Sequence, residues 1–354
     1  MTDEEVRLEG RGQAWRIVGT SGSGLDLVNG FLDYLAALNY SPLTIRSYGF
    51  DLLSFVRWLK AGKLDLLEVR SQDLLGFISD CRFGPAPGRP PMGAGACRVV
   101  APSTINRRMA AISAMYSFAA MRDPSIANPV PKPRERRAVG GVSRTGLLGH
   151  LAKPAPLSPL RLRTPRRLPR ALDRDEIEAL LGSLRSWRDR AIAGLMLYSG
   201  LRSAEVLGLE VKDVDIGARW MRVVGKGDKE RRIPIDVDVA GVVQVYLLTE
   251  RPETDATKLF VVLKGPHRGQ PLTAAGLRTI FRHHRAKSGV TAGHPHALRH
   301  SFGTALAEAG VDLAVMQALL GHDNVDSTAA YIHLAPVHLR REFDAARARQ
   351  RARQ

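Results

Sequence analysis

Only two cysteines, Cys81 and Cys97, occur in 354 residues, too few for the disulfide framework of a small secreted domain. No run approaches the ~18 to 20 uninterrupted apolar residues that cross a bilayer, which argues against an integral membrane protein. The start, MTDEEVRLEG, is acidic where a secretory leader is basic and then apolar. The expected location is therefore a reducing cytoplasm. Acids are scarce as well: 35 Asp and Glu stand against 52 Lys and Arg, a net charge of +17. A surplus of that size points to a polyanionic partner.

The position of the charge narrows the choice of partner. Residues 131–170 hold eleven Lys or Arg against the single acid Glu135, and residues 340–354 hold six Arg against Glu342 and Asp344. These two segments carry 14 of the 17 excess charges. Basic excess concentrated in a connecting segment and a tail suits chain laid along a phosphate backbone better than a solvated helix face, so nucleic acid is the expected partner.

At roughly 150 residues per domain the length fits two domains. After a polar start with GTSGSG at residues 19–24, Leu27, Phe31, Leu35 and Leu38 recur at helical spacing over 25–40. Ser41-Pro42 opens a second helix over 42–60, with Ile45, Tyr48, Leu52, Phe55 and Leu59 on one face. A third helix is expected over 71–80, and a fourth from a Ser103 cap through Met121, with Arg107 and Arg108 turned outward. Between these two, Phe83 to Pro102 is too rich in Gly and Pro for helix or strand and reads as a long loop. Eight prolines between 128 and 170 predict extended chain. Asp173 and Glu176 have capping-box spacing and start a helix to Leu184, followed by another over 187–199. RWMRVV (219–224) and ERRIPI (230–235) flank GKGDK as a hairpin, and residues 274–346 are mostly helical. The resulting domains are a tail (1–24), a helical domain (25–125), a basic Pro-rich linker (126–168), a second domain (169–346) and a basic end (347–354). The fold class is mainly α with a small antiparallel β-sheet.

Arg202 follows Ser199-Gly200 at a helix start, where a cation can reach a ligand held by the helix N-terminus. Lys226 lies on the hairpin turn between Gly225 and Gly227, and His296 and Arg299 are three apart after Pro295, on one helix face. His294, His296 and His300 have no Cys or carboxylate at ligand spacing, so no metal is expected. His322 closes LLGH, and Tyr331 follows nine residues later.

Taken together, SGLRSAEVLGL, GKGDKERRIPI, PHALRHSFGTAL, LLGH and STAAYIH resemble the motifs of the tyrosine recombinase (phage integrase) family. The resemblance covers roughly residues 25 to 345 and includes SPLTIRSYGFDLLSFVRWL at 41–59, similar to that family's helical core-binding domain. It implies a catalytic set of Arg202, Lys226, His296, Arg299, His322 and the nucleophile Tyr331, with no cofactor, and DNA contacts from Thr44, Arg46, Arg107 and Arg108. The implied reaction is strand cleavage and rejoining through a 3′-phosphotyrosyl link, without metal or ATP, in a homo-tetramer on DNA. An accessory DNA-bending protein or a partner recombinase is compatible with this assembly.

The resemblance also exposes departures. Residues 1–24 are too few for the arm-binding domain some members carry. The basic linker and the 83–102 loop are longer than in the Xer type, which favours a mobile-element integrase or transposase. A type IB topoisomerase-like enzyme is the nearest alternative, disfavoured by the helical domain, and a non-catalytic DNA-binding relative is disfavoured by the filled set of six residues.

Overall fold

The computed structural model describes residues 6–11, 14–19, 23–84, 100–131, 158–164 and 170–321, divided between two compact units, Met1–Arg166 and Arg167–Gln354.

The first unit is a helical bundle with a β-hairpin against it. Strands β1 (Arg7–Arg11) and β2 (Ala14–Val18) pair antiparallel, Gly10 opposite Trp15. Helices α1 (Ser23–Ala37), α2 (Pro42–Gly62), α3 (Ser71–Phe83) and α4 (Pro102–Arg122) follow. Ser41 accepts from the Thr44 N–H and Pro42 fills the first turn, so α2 starts where the sequence predicts. Its apolar stripe of Ile45, Leu52, Phe55 and Leu59 is buried against Phe31, Phe77, Ile105, Ile112 and Tyr116. Burial of this stripe, at about 25 cal/mol per Å² of apolar surface, is what holds the helices together. The Trp58 indole N–H reaches the Asp80 carboxylate at 2.8 Å, so the ring carries no unpaired polar group into the core.

Three expectations differ from what is observed here. Part of the expected tail is the β1–β2 hairpin, because Val6 and Ile17 are buried in the helical core. Helix α4 is capped by Ala101 with Pro102 in its first turn, and Ser103 lies inside the helix; the proline, which lacks an N–H to satisfy, sets the start. The described parts of the expected linker pack on the first unit: Val130 is buried, Leu160 and Leu162 lie on the core, and Asn106 exchanges two hydrogen bonds with Leu162 at 2.9 and 3.0 Å. Extended Pro-rich chain cannot bond to itself, so its peptide groups take side-chain partners. Residues 85–99 of the expected loop and 132–157 and 165–168 of the linker lie outside the described residues.

In the second unit, Asp173 and Glu176 form the predicted capping box of α5 (Arg174–Ser183). Helix α6 (Trp187–Tyr198) is apolar on nearly every side and is the central buried helix. A short α7 (Ser203–Gly208) leads to a three-stranded antiparallel sheet of β3 (Val214–Asp215), β4 (Trp220–Val224) and β5 (Glu230–Pro234), in that order. Met221, Val223 and Ile233 point into the core, while Trp220, Arg222 and Arg232 point out, the period-2 pattern of a sheet covered on one face. Helices α8 (Val237–Val245), α9 (Ala274–Ser288), α10 (Pro295–Glu308) and α11 (Leu313–Leu320) complete the unit, α10 packing along α6. Among the described residues no helix is long and apolar enough to cross a membrane.

Candidate active site

Three arginines surround one buried carboxylate in the second unit. Arg202 is the N-cap of α7, and its backbone N–H donates to Glu205 Oε2 at 2.8 Å while its guanidinium donates to Oε1 at 2.8 Å. Arg231 forks onto the same carboxylate, Nη1 to Oε1 and Nη2 to Oε2, both at 2.9 Å. Arg299, on the second turn of α10 and 4% exposed, has Nη1 3.9 Å from Glu205 Oε2. Sequence positions 202, 231 and 299 thus meet at 205.

Backbone carbonyls complete the cluster. Arg299 donates to Gly200 and Leu320, Arg202 to Gly321 at 2.8 Å, and Arg231 to Leu319 at 3.2 Å. All three guanidiniums are therefore tied to the C-terminal turn of α11, directly before His322 in the sequence. Gly321 has φ +58°, and a Cβ there would stand 2.7 Å from Arg231 Nη1, so only glycine both ends the helix and admits the arginine.

Glu205 is 4% exposed. Burial by itself would push its carboxyl up, but hydrogen bonds from Arg231 and Arg202 and the Arg231 charge outweigh it and hold the group below the usual carboxylate range. It is thus an anion that neutralises one of three cations. The cluster gathers three guanidiniums about one carboxylate, and Arg202, whose side chain is 34% exposed, is partly open to solvent. Such a cluster suits an oxyanion with two non-bridging oxygens.

Of the six sequence-derived residues, Arg202 and Arg299 converge at this cluster. His296 is exposed on the first turn of α10, one turn before Arg299. Farther along, His300 is half-buried, and burial together with the charges of His296 and Arg299 lowers its pKa. Lys226 lies on the turn between β4 and β5, where Gly227 has φ +72°, and its backbone alone is described. His322 and Tyr331 lie outside the described residues.

Sequence reasoning missed Glu205 and Arg231. Both carried signals: Glu205 sits three residues after the N-cap Arg202, at capping-box spacing. Arg231 alternates with Ile233, and it pairs with the inward Val223 across the strands.

In the first unit, Thr44 is half-buried and its hydroxyl lies 2.8 Å from that of Ser41 within the α2 cap. Arg46 and Arg107 are exposed. Arg108, expected to face outward, is instead held inside, because its guanidinium contacts Cys81 at 3.2 Å and approaches Asp51 at 4.0 Å, leaving its side chain 14% exposed. Asp51 is 2% exposed and pairs with Arg107 at 2.9 Å.

The phage integrase family matches residues 170–338, and the phage integrase N-terminal SAM-like domain matches residues 28–123. The chain is 32% identical over 326 residues to tyrosine recombinase XerC of Chromohalobacter salexigens, covering 88% of this chain and 93% of that protein. It is 30% identical over 327 residues to tyrosine recombinase XerD of Listeria monocytogenes, covering 89% and 96%. The fold is similar to that of the Tn1549 transposon integrase in complex with transposon right end DNA (TM-score 0.62, 18% identity, 90% of this chain and 98% of that one). It is also similar to XerH recombinase bound to palindromic difH substrate (TM-score 0.60, 20% identity, 95% and 90%).

Proposed function

Because the chain belongs to the tyrosine recombinases of the phage integrase family, we propose that the arginine cluster around Glu205 is the phosphate-binding half of its active site. The protein is a site-specific recombinase that cleaves and rejoins DNA. The observation that carries the site assignment is the meeting of Arg202, Arg231 and Arg299 on one buried carboxylate.

In this reading Arg202 and Arg299 grip the non-bridging oxygens of the scissile phosphate as negative charge builds there, a preorganised stabilisation that requires no rearrangement during the reaction. The Tyr331 hydroxyl oxygen attacks phosphorus, the P–O5′ bond breaks, and a 3′-phosphotyrosyl ester forms. Lys226, on its Gly-flanked turn, gives a proton to the departing 5′-oxygen, while His296 and His322 hydrogen-bond the phosphate and assist proton transfer. The ester conserves the energy of the broken bond, so a 5′-hydroxyl from a partner strand can attack it and expel the tyrosine. Energy from ATP is not needed. Glu205 and Arg231 act by holding Arg202 and Arg299 in place.

Strand exchange between two duplexes calls for four protomers. A groove of about 810 Å³ in the second unit fits a contact between them. Its lining includes Ile177, Leu181 and Phe302, with the acids Asp173, Glu178, Asp236 and Glu308 against the single base Arg174, a set complementary to the arginine-rich segment 340–354 with its single Phe343. Truncation after Leu339 is expected to prevent tetramer assembly on DNA, read by sedimentation of the protein–DNA complex; an unchanged tetramer excludes this role for the segment. The long basic stretch at 131–170 favours a mobile-element role, and the flanks of the gene are where its sites are sought.

The test uses nicked duplexes tiled across the DNA beside the gene, with chelator present. Wild type is expected to give an SDS-stable protein–DNA adduct that Tyr331→Phe does not form. Tight binding without an adduct on any tile would overturn the catalytic reading.

A further inference from the structure

Arg46 is held in an unusual way for a surface arginine. Its guanidinium carbon stands 5.4 Å from the ring centre of Trp15, on β2, and 5.0 Å from that of Phe50, one turn along α2. The residue is exposed, and among the described residues no carboxylate lies within ion-pair distance of it. Arg107 differs in this respect, since Asp51 neutralises it. Rings contacting a guanidinium through its π system stabilise the cation and leave its in-plane N–H groups free for a flat, two-pronged acceptor such as a phosphate.

The ring that supplies half of this clasp is itself fixed. Trp15 lies across Gly10 so closely that a Cβ there would stand 3.0 Å from the indole. The Asn29 amide bonds both the N–H and the carbonyl of Ile17 at 2.8 and 3.0 Å, Arg57 grips the Val6 carbonyl at 2.7 and 2.9 Å, and Arg16 pairs with Asp33 at 2.7 Å. The hairpin is thus anchored to α1 and α2 at both edges. It also precedes residue 28, where the SAM-like domain match begins.

We propose that the β1–β2 hairpin is part of the duplex-binding face of the first unit, with Trp15 as a positioning residue that presents Arg46 to a DNA phosphate. The inference rests on the reading that this unit grips DNA. Arg46 is ordered before DNA arrives, so binding does not have to freeze a freely rotating side chain. The neighbouring Ser47 hydroxyl accepts from Arg107, so the same stretch of α2 joins the hairpin's clasp to the arginine of α4.

The test is the affinity of the full chain for a labelled mixed-sequence duplex, titrated between about 50 and about 200 mM salt. Arg46→Ala is expected to weaken binding and to lower the slope of log K against log salt by about 0.9, one phosphate contact. Trp15→Ala and Trp15→Leu are expected to weaken binding by about two- to fivefold, the worth of one exposed cation–π contact, whereas Trp15→Phe retains affinity. Leucine keeps the cover over Gly10 and loses the π face, so a merely structural role for Trp15 would leave Trp15→Leu as tight as wild type. The Trp15→Leu/Arg46→Ala double variant is expected to bind no more weakly than Arg46→Ala alone. Full affinity in Trp15→Leu, or additive losses in the double variant, would overturn the role of the hairpin. A silent Arg46→Ala would instead overturn the reading that this face meets DNA, and the inference with it.

Discussion

Two clusters in this molecule bring arginines to one buried acid, and they titrate in opposite directions. Glu205 in the second unit and Asp51 in the first are both nearly inaccessible, 4% and 2% exposed. Glu205 is held below the usual carboxylate range, whereas burial pushes Asp51 up to about 6, with Arg107 and Arg108 offsetting only part of the penalty. The difference lies in the number of close donors. Glu205 receives four within 2.9 Å: the Arg231 fork, the Arg202 guanidinium and the Arg202 backbone N–H. Asp51 has one cationic nitrogen at 2.9 Å and a second at 4.0 Å. Charge nearby offsets only part of the cost of burying a carboxylate; hydrogen bonds to its oxygens decide the direction of the shift.

The largest effect is expected from Glu205→Gln, which leaves three arginines around a neutral group. Removing one partner of a buried, hydrogen-bonded ion cluster costs about 3 to 5 kcal/mol, so denaturant unfolding of the second unit should move to markedly lower concentration. A loss below about 1 kcal/mol would mean that backbone carbonyls alone hold the arginines. Next in size is Arg231→Lys. A lysine keeps the charge but not the fork, and the loss of about 1.5 to 3 kcal/mol of charge-assisted bonding should appear as a tenfold or greater fall in adduct formation with DNA affinity little changed. An unaltered rate would remove Arg231 from the positioning of Arg202.

Asp51→Asn sharpens the other side of the comparison and should be the mildest, within about 1 kcal/mol at neutral pH, because it removes a charge that burial already disfavours. Its pH dependence carries the sign. Folding raises the carboxyl from 3.8 to about 6, so the folded state binds the proton more tightly and the first unit gains stability as pH falls from about 6 towards 4. Glu205 does the reverse: it contributes stability above the ordinary carboxylate value and loses it as pH drops below. Melting temperatures of wild type and Asp51→Asn should therefore converge or cross between pH 6 and 4 and run parallel above it. A constant difference across that window would show Asp51 to be unperturbed.

Much of the second unit was legible because its signals are local. The Asp173–Glu176 box, the strand alternation around GKGDK and the proline opening α10 each act within a few residues. The N-terminal hairpin was not legible. Arg7, Glu9, Arg11 and Arg16 give residues 7–18 the look of a polar tail, and a two-stranded hairpin has little stability of its own. It forms because Val6 and Ile17 find cover on α1 and α2, a contact between segments that periodicity does not report. Arg108 illustrates the same limit: its place on the wheel of α4 suggests solvent, yet Asp51 and Cys81 draw it in.

By itself, the sequence determined the helices, the hairpin turn, the basic surplus and the order of the candidate site residues, since each depends on neighbours along the chain or on composition. The tertiary structure alone decided that Arg202, Arg231 and Arg299 share Glu205, that Asp51 is nearly shut off from water, and that Trp15 reaches Arg46. Those facts depend on which distant segments exclude water together. Burial then makes each hydrogen bond, or the lack of one, count for more than it would in solvent.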